Sequence, residues 1–232
     1  MRGLAERVRY VHAEDGHRLG VTELVDPHPT GPGHLPVLLV HGFAQNRLAF
    51  ALGPLPLALL ARGCRVFLGE LRGHGLSRAT DPRLRRHEWG LEAHLQLDLP
   101  ALIEHVLDET GAPRLHYMGH SMGGAIAMTL ALQNAPGVVG LVLAGTGARL
   151  RVAPAILDRI MTDYEGVADL LADAFWSADT PAAIREQSKE RLLATDAAIT
   201  LGDFRACDSF DVRGQLGQIR QPTLVIGGDT DP

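Results

Sequence analysis

Gly119-His120-Ser121-Met122-Gly123, with Gly124 behind it, stands between an apolar run at 115–118 and a stretch of small residues that continues through Ala125 and Ala127. No other segment restricts the fold as tightly. A strand that turns straight into a helix forces the residue at the corner into a strained backbone conformation. Side chains two residues before and two after that corner would collide, and Gly119 and Gly123 supply the room. The small residues beyond it let the helix pack close to the sheet. The corner lifts the Ser121 hydroxyl above the sheet, where the first amides of the helix aim their dipoles at it. A glycine-rich structural turn that happens to contain serine is the plainer alternative. The flanking strand and helix patterns favour the strained corner.

The rest of the chain supplies the sheet that such a corner needs. Residues 8–25 read as two strands around a turn at Asp15-Gly16, and 27–36 as a Pro/Gly-rich loop. Val37-Leu38-Leu39-Val40 stops abruptly at His41-Gly42, as a strand buried on both faces of a parallel sheet would. A helix is expected over 48–62, irregular in its first half because of Pro54 and Pro56. A strand at 64–68, an amphipathic helix at 91–110 closed by Gly111 and Pro113, and a strand at 114–118 follow. After the corner come a helix at 122–134 and a strand at 138–144. This alternation predicts the α/β class, with a doubly wound, mostly parallel sheet flanked by helices.

The rhythm breaks after Gly147. Residues 152–215 carry helical patterns and no convincing strand, one helix running through 167–176 and another opening with Thr180 as cap and Pro181 as first helical residue. Thr223-Leu224-Val225-Ile226 resumes the sheet pattern. The expected organisation is therefore a core over 1–147, a helical cap insertion over 148–215, and a resumed core over 216–232. Helices inserted over the carboxyl ends of strands sit where a lid would.

Composition closes off several functions. A formal net charge of -5 leaves no basic footprint for nucleic acid. Lys189 is the only lysine and follows no glycine-rich loop, which removes a P-loop nucleotide site. Gly145-Thr146-Gly147 follows a strand but lacks the third glycine of a dinucleotide fingerprint. Cys64 and Cys207 make no metal-ligand spacing and read as buried free thiols, so neither metal nor cofactor is expected. The N-terminus has no signal-peptide run and no stretch approaches the ~20 apolar residues of a membrane span, which makes a cytoplasmic protein the default expectation.

Acyl transfer needs donors for the oxyanion of its tetrahedral intermediate, and backbone amides are the usual ones. Where a serine occupies such a corner, they come from the residue after it and from an early strand-end loop. That nominates the backbone N–H groups of Met122 and Phe43. The loop Glu70-Leu71-Arg72-Gly73-His74-Gly75-Leu76-Ser77 invites a catalytic reading of His74. The better account is structural, with glycines making the turn and polar groups binding one another or backbone.

Taken together, the His41-Gly42-Phe43 loop, the Arg72-Gly73-His74-Gly75 loop, the elbow around Ser121 and the late Gly227-Gly228-Asp229-Thr230-Asp231-Pro232 resemble the α/β-hydrolase family. More narrowly they look like its cap-bearing esterase, haloperoxidase and carbon–carbon hydrolase branch. The resemblance spans the whole chain in the right order, and it is specific for fold and weakly specific for substrate. It implies a serine hydrolase cleaving a small-molecule ester or related acyl bond through an acyl-serine intermediate at Ser121. Carbon–carbon hydrolysis and peracid formation are the neighbouring alternatives. Epoxide hydrolases and haloalkane dehalogenases would need an aspartate where Ser121 stands. The family order is serine, acid, histidine. Its acid, three residues beyond a glycine, maps to Asp231, with Asp229 as the rival.

The histidine is the departure. All 11 histidines lie at or before His120, and none follows Ser121. His116 and His120 are four apart but sit on a strand and its turn, so helical ligand spacing does not apply to them. The simplest expectation is a C-terminally truncated piece of a longer hydrolase, missing the terminal strand and helix. A catalytically dead, binding-only member is the non-enzyme alternative. The substrate depends on how 152–215 line the pocket, which the sequence does not disclose.

Overall fold

The structure is a computed structural model that describes residues 5–26, 33–51, 53–78 and 90–229. Strands β1 (Ala5–His12) and β2 (Arg18–Val25) form an antiparallel hairpin, its turn closed by Gly16 at φ 82. β3 (Val37–Val40), β4 (Val66–Gly69), β5 (Leu115–His120), β6 (Val138–Ala144) and β7 (Thr223–Ile226) complete a seven-stranded sheet in the order β1-β2-β4-β3-β5-β6-β7. From β4 to β7 every pairing is parallel, so all the loops that follow these strands gather at one carboxyl edge. The fold is the α/β class that the alternation predicts.

Alternate residues of the central strands build two apolar layers. Leu38, Phe67, Tyr117 and Leu141 face α4 (Leu99–Thr110) and α5 (Met122–Leu132) in one cluster. Val37, Leu39, Val66 and Leu68 form the other with Phe50 of α1 (Leu48–Ala51) and Leu60 of α2 (Leu55–Leu60). The two prolines do split the 48–62 helix, giving α1 and α2. The 91–110 helix is continuous but not uniform. α3 (Leu91–Ala93) runs through a π-helical turn at His94–Asp98 into α4, which ends at Gly111 in the left-handed region (φ 66). The wide turn puts His94 and Asp98 side by side, with Nδ1 and Oδ2 2.8 Å apart.

Four helices lie between β6 and β7, namely α6 (Pro154–Arg159), α7 (Tyr164–Ala174), α8 (Ala182–Leu193) and α9 (Ala197–Ser209). One detail departs from expectation. Pro181 is not the first residue of α8 but its cap, extended at ψ 137, and Thr180 does not cap the helix. The Thr180 hydroxyl is instead shared with Ser177, 3.2 Å away. The apolar pattern predicts β4 over 64–68, whereas the strand starts later and runs one residue further.

Candidate active site

β5 runs to the corner itself, and Ser121 turns it at φ 51 and ψ -117, a region that a residue with a side chain rarely occupies. The neighbourhood over-determines that conformation. Ser121 N–H donates to the Ala144 carbonyl (2.9 Å), while its own carbonyl accepts from Gly124 N–H (2.8 Å), Ala125 N–H (3.2 Å) and the Thr146 hydroxyl (2.8 Å). The glycines are steric necessities. A Cβ on Gly119 would lie 2.0 Å from the Gly123 carbonyl oxygen, and one on Gly123 would lie 2.5 Å from that of Val40. Gly124 leaves room for Thr146, whose Cγ2 would be 2.4 Å from a Cβ.

The His41-Gly42-Phe43 loop abuts this corner, since a Cβ on Gly42 would be 3.0 Å from that of Ser121. Gln45 ties the two together, its Oε1 accepting from Gly42 N–H (3.2 Å) and facing His120 Nδ1 at 3.1 Å. Among the described residues, neither Phe43 N–H nor Met122 N–H donates to a protein acceptor, although amides on both sides of Phe43 are engaged. Met122 begins α5, where the helix leaves its first amides unpaired in any case.

Two buried histidines hold the loops. His41 Nδ1 donates to the Gly42 carbonyl (2.7 Å) and its Nε2 accepts from Leu71 N–H (3.1 Å), which fixes a neutral ring. Burial and the neighbouring His74 push its pKa down to about 3. His74 Nδ1 lies 2.9 Å from the Arg72 carbonyl and its Nε2 lies 2.9 Å from Asp203 Oδ2. The ring thus meets backbone and a polar side chain, as expected for the polar groups of its loop, but that side chain belongs to α9 and sequence reasoning missed it. Asp203 left one signal: with Thr200, Phe204 and Cys207 it forms the buried i, i+3, i+4, i+7 stripe of α9, a charge where an apolar residue is expected.

Asp229 is exposed just beyond β7, at the same carboxyl edge as Ser121. Asp231 lies outside the described residues. His41, His74 and His120 are bound to loop or α9 groups as above.

A cavity of about 250 Å³ opens between α7, α8 and the Phe43 loop. Phe43, Phe50, Leu171, Phe175, Trp176 and Ile184 give it an apolar wall, and it reaches the corner through His120, with Ser121 itself outside its lining. Lys189 and Arg191 also line it and, among the described residues, no carboxylate does. Lys189 is paired with Asp169 at 2.5 Å, whereas Arg191 meets only the neutral Gln187 amide at 3.5 Å among the described residues. Cys64 and Cys207 are free thiols, both with pKa raised by burial. Among the described residues no cluster of His, Cys, Asp or Glu could hold a metal ion, and no helix is long and apolar enough to cross a membrane.

A mostly parallel sheet with a strained serine where its central strand turns into a helix defines one class of protein. The chain belongs to the α/β-hydrolase fold family, which it matches over residues 36–210. It is 36% identical over 130 residues to Lipase 1 of Drosophila melanogaster, an alignment covering 52% of this chain but 28% of the lipase. To a 2-hydroxy-6-oxononadienedioate/2-hydroxy-6-oxononatrienedioate hydrolase of Cupriavidus pinatubonensis it is 29% identical, over 96% of this chain and 78% of that one. The crystal structure of a hydrolase from Pseudomonas aeruginosa PA01 superposes with a TM-score of 0.72 at 26% identity, covering 96% of this chain and 80% of that chain.

Proposed function

We propose that the chain is a serine hydrolase that cleaves an ester or related acyl bond through an acyl-serine at Ser121. The observation that carries the proposal is the pairing of a strained, over-determined serine with two unengaged amides, Phe43 N–H and Met122 N–H, on the segments that meet there. In the reaction the Ser121 oxygen adds to the acyl carbon and the carbonyl oxygen becomes an oxyanion held by those amides. The carbon–leaving-group bond then breaks, the leaving group takes up a proton, and water hydrolyses the acyl-serine. Asp231 is the acid that would orient a histidine, with Asp229 as its rival. The helices between β6 and β7 act as a cap over 148–215, and they supply the apolar wall for the acyl group.

No histidine follows Ser121 in these 232 residues, and those near it are committed to other partners. The serine proton therefore passes to solvent, and turnover by this polypeptide should be ~10⁴-fold or more below that of a complete triad. The second reading is a binding-only member that holds acyl ligands without turning them over.

The test is a panel of p-nitrophenyl esters assayed with the 232-residue chain and with Ser121→Ala. Slow hydrolysis of neutral and anionic short acyl esters, lost in Ser121→Ala, is expected. Trimethylammonium-bearing acyl groups should be hydrolysed more slowly still, because the cavity carries cations and, among the described residues, no carboxylate. Equal rates for the two proteins would leave the binding-only reading.

A further inference from the structure

Ala44 follows the proposed oxyanion donor and is itself in the left-handed region, at φ 49, where a residue with a side chain needs outside support. The support comes from α9 and from the turn that joins α8 to it. Ala44 N–H donates to Asp203 Oδ2 (2.8 Å), and Ala44 carbonyl accepts from the Thr195 hydroxyl (3.3 Å). The Phe43 ring packs on Phe204, beside Asp203, with centroids 4.4 Å apart, and on Phe175 at 5.3 Å. The same Asp203 oxygen meets His74 Nε2, whose other ring nitrogen faces the Arg72 carbonyl. A carbonyl and a carboxylate only accept hydrogen bonds, so both ring nitrogens of His74 must carry protons. Asp203 and His74 are thus a buried ion pair joining α9, the 70–77 loop and the Phe43 loop.

We propose that Asp203 is a positioning residue for the reaction: with His74 as its cationic partner it fixes Ala44, and through Ala44 the direction of the Phe43 N–H. The inference rests on the oxyanion role assigned to Phe43 above. It makes the inserted helices part of the catalytic frame, not a lid that swings free of it.

Deprotonation of His74 should weaken this brace, because a neutral ring carries one proton for two acceptors and turns a lone pair toward either the Arg72 carbonyl or the Asp203 carboxylate. The charged and titratable groups around His74 have partners of their own. His41, 4.8 Å away between ring centroids, is fixed neutral by its two backbone partners. Glu70 is occupied by Arg47 N–H and Leu76 N–H. Arg72 is paired with Asp98 and Asp15, and His94 with Asp98.

The experiment compares the 232-residue chain with Asp203→Ala and Asp203→Asn by ¹⁵N NMR, amide hydrogen exchange and the rate of covalent labelling by a fluorophosphonate. In the wild type both His74 ring nitrogens should be protonated at pH 7, and Ala44 amide exchange should be at least ~100-fold slower than in Asp203→Ala, with core amides of β3 and β5 alike in both. Asp203→Asn, which keeps an acceptor but loses the charge, should retain slow Ala44 exchange with a neutral His74. Labelling of Asp203→Ala should fall about tenfold or more, and the wild-type advantage should vanish as pH rises through the His74 transition. A singly protonated His74 at pH 7, unaltered Ala44 exchange, or equal labelling of all three proteins overturns the proposal. A wild type labelled no faster than Ser121→Ala over a long incubation overturns the assigned reaction, an outcome distinct from Ser121 labelling that is indifferent to Asp203.

Discussion

Ser121 and Phe43 carry different kinds of demand. Ser121 must hold a backbone conformation that costs about 1–3 kcal/mol, and four hydrogen bonds plus three glycines keep it there. Phe43 contributes an amide, while its ring packs among Phe175 and Phe204. Phe43→Leu should therefore keep fluorophosphonate labelling within about threefold of wild type. Phe43→Pro, which removes the N–H, should slow it at least tenfold. Equal losses would show that the ring matters as much as the amide. The serine corner was legible in the sequence because its physics is local: glycine spacing states the steric problem and its solution within five residues. Gln45 was not, since nothing nearby says that its side chain caps Gly42 N–H. Asp203 was harder still, its partner His74 lying 129 residues away.

At the level of elements, strands announced themselves through short apolar runs cut by glycine or proline, and β3, β6 and β7 fall where those runs are. What joins the elements is ionic and buried, and it predicts how stability depends on pH. Burial opposes the charge on His74, but the Asp203 carboxylate and the hydrogen bonds outweigh it and hold its pKa above 6.5. Burial likewise opposes Asp203, and the His74 charge prevails to hold its pKa below 3.8. The His74 contribution is complete below pH ~6.5 and is lost as pH rises through its folded value. The Asp203 contribution is complete above pH ~3.8 and is lost as pH falls through its folded value. His41, neutral in the fold down to about pH 3, destabilises progressively below ~6.5, because the unfolded chain takes up a proton there and the folded chain does not. Urea unfolding midpoints should thus peak near pH 6.5 and fall on both sides. Each tenfold difference in proton affinity between the folded and unfolded chains is worth ~1.4 kcal/mol. His74→Gln should remove the alkaline fall. A midpoint that climbs steadily from pH 5 to 9 would contradict the ion pair.

At the scale of the molecule, the two sheet faces are unequally covered among the described residues. α4 and α5 bury one face, whereas α1 and α2 reach only part of the other, where Val142 and Ala144 of β6 are half-buried. β7, at the sheet edge, leaves Leu224, Val225 and Ile226 exposed at 58%, 66% and 44% among the described residues. In a polypeptide of these 232 residues, an apolar edge strand of this kind is a template for pairing with other chains. Val225→Lys should lower concentration-dependent light scattering while leaving the unfolding midpoint nearly unchanged, since the side chain it replaces is not packed. Scattering indifferent to this change would place the association elsewhere. All of these features converge on one serine, and the most direct test of the account is where a fluorophosphonate attaches. Over the long incubation that a serine without a general base requires, intact mass should rise by a single adduct on the 232-residue chain, peptide mapping should place it on Ser121, and Ser121→Ala should remain unmodified. An adduct that persists in Ser121→Ala, or that maps to another residue, would contradict the central claim.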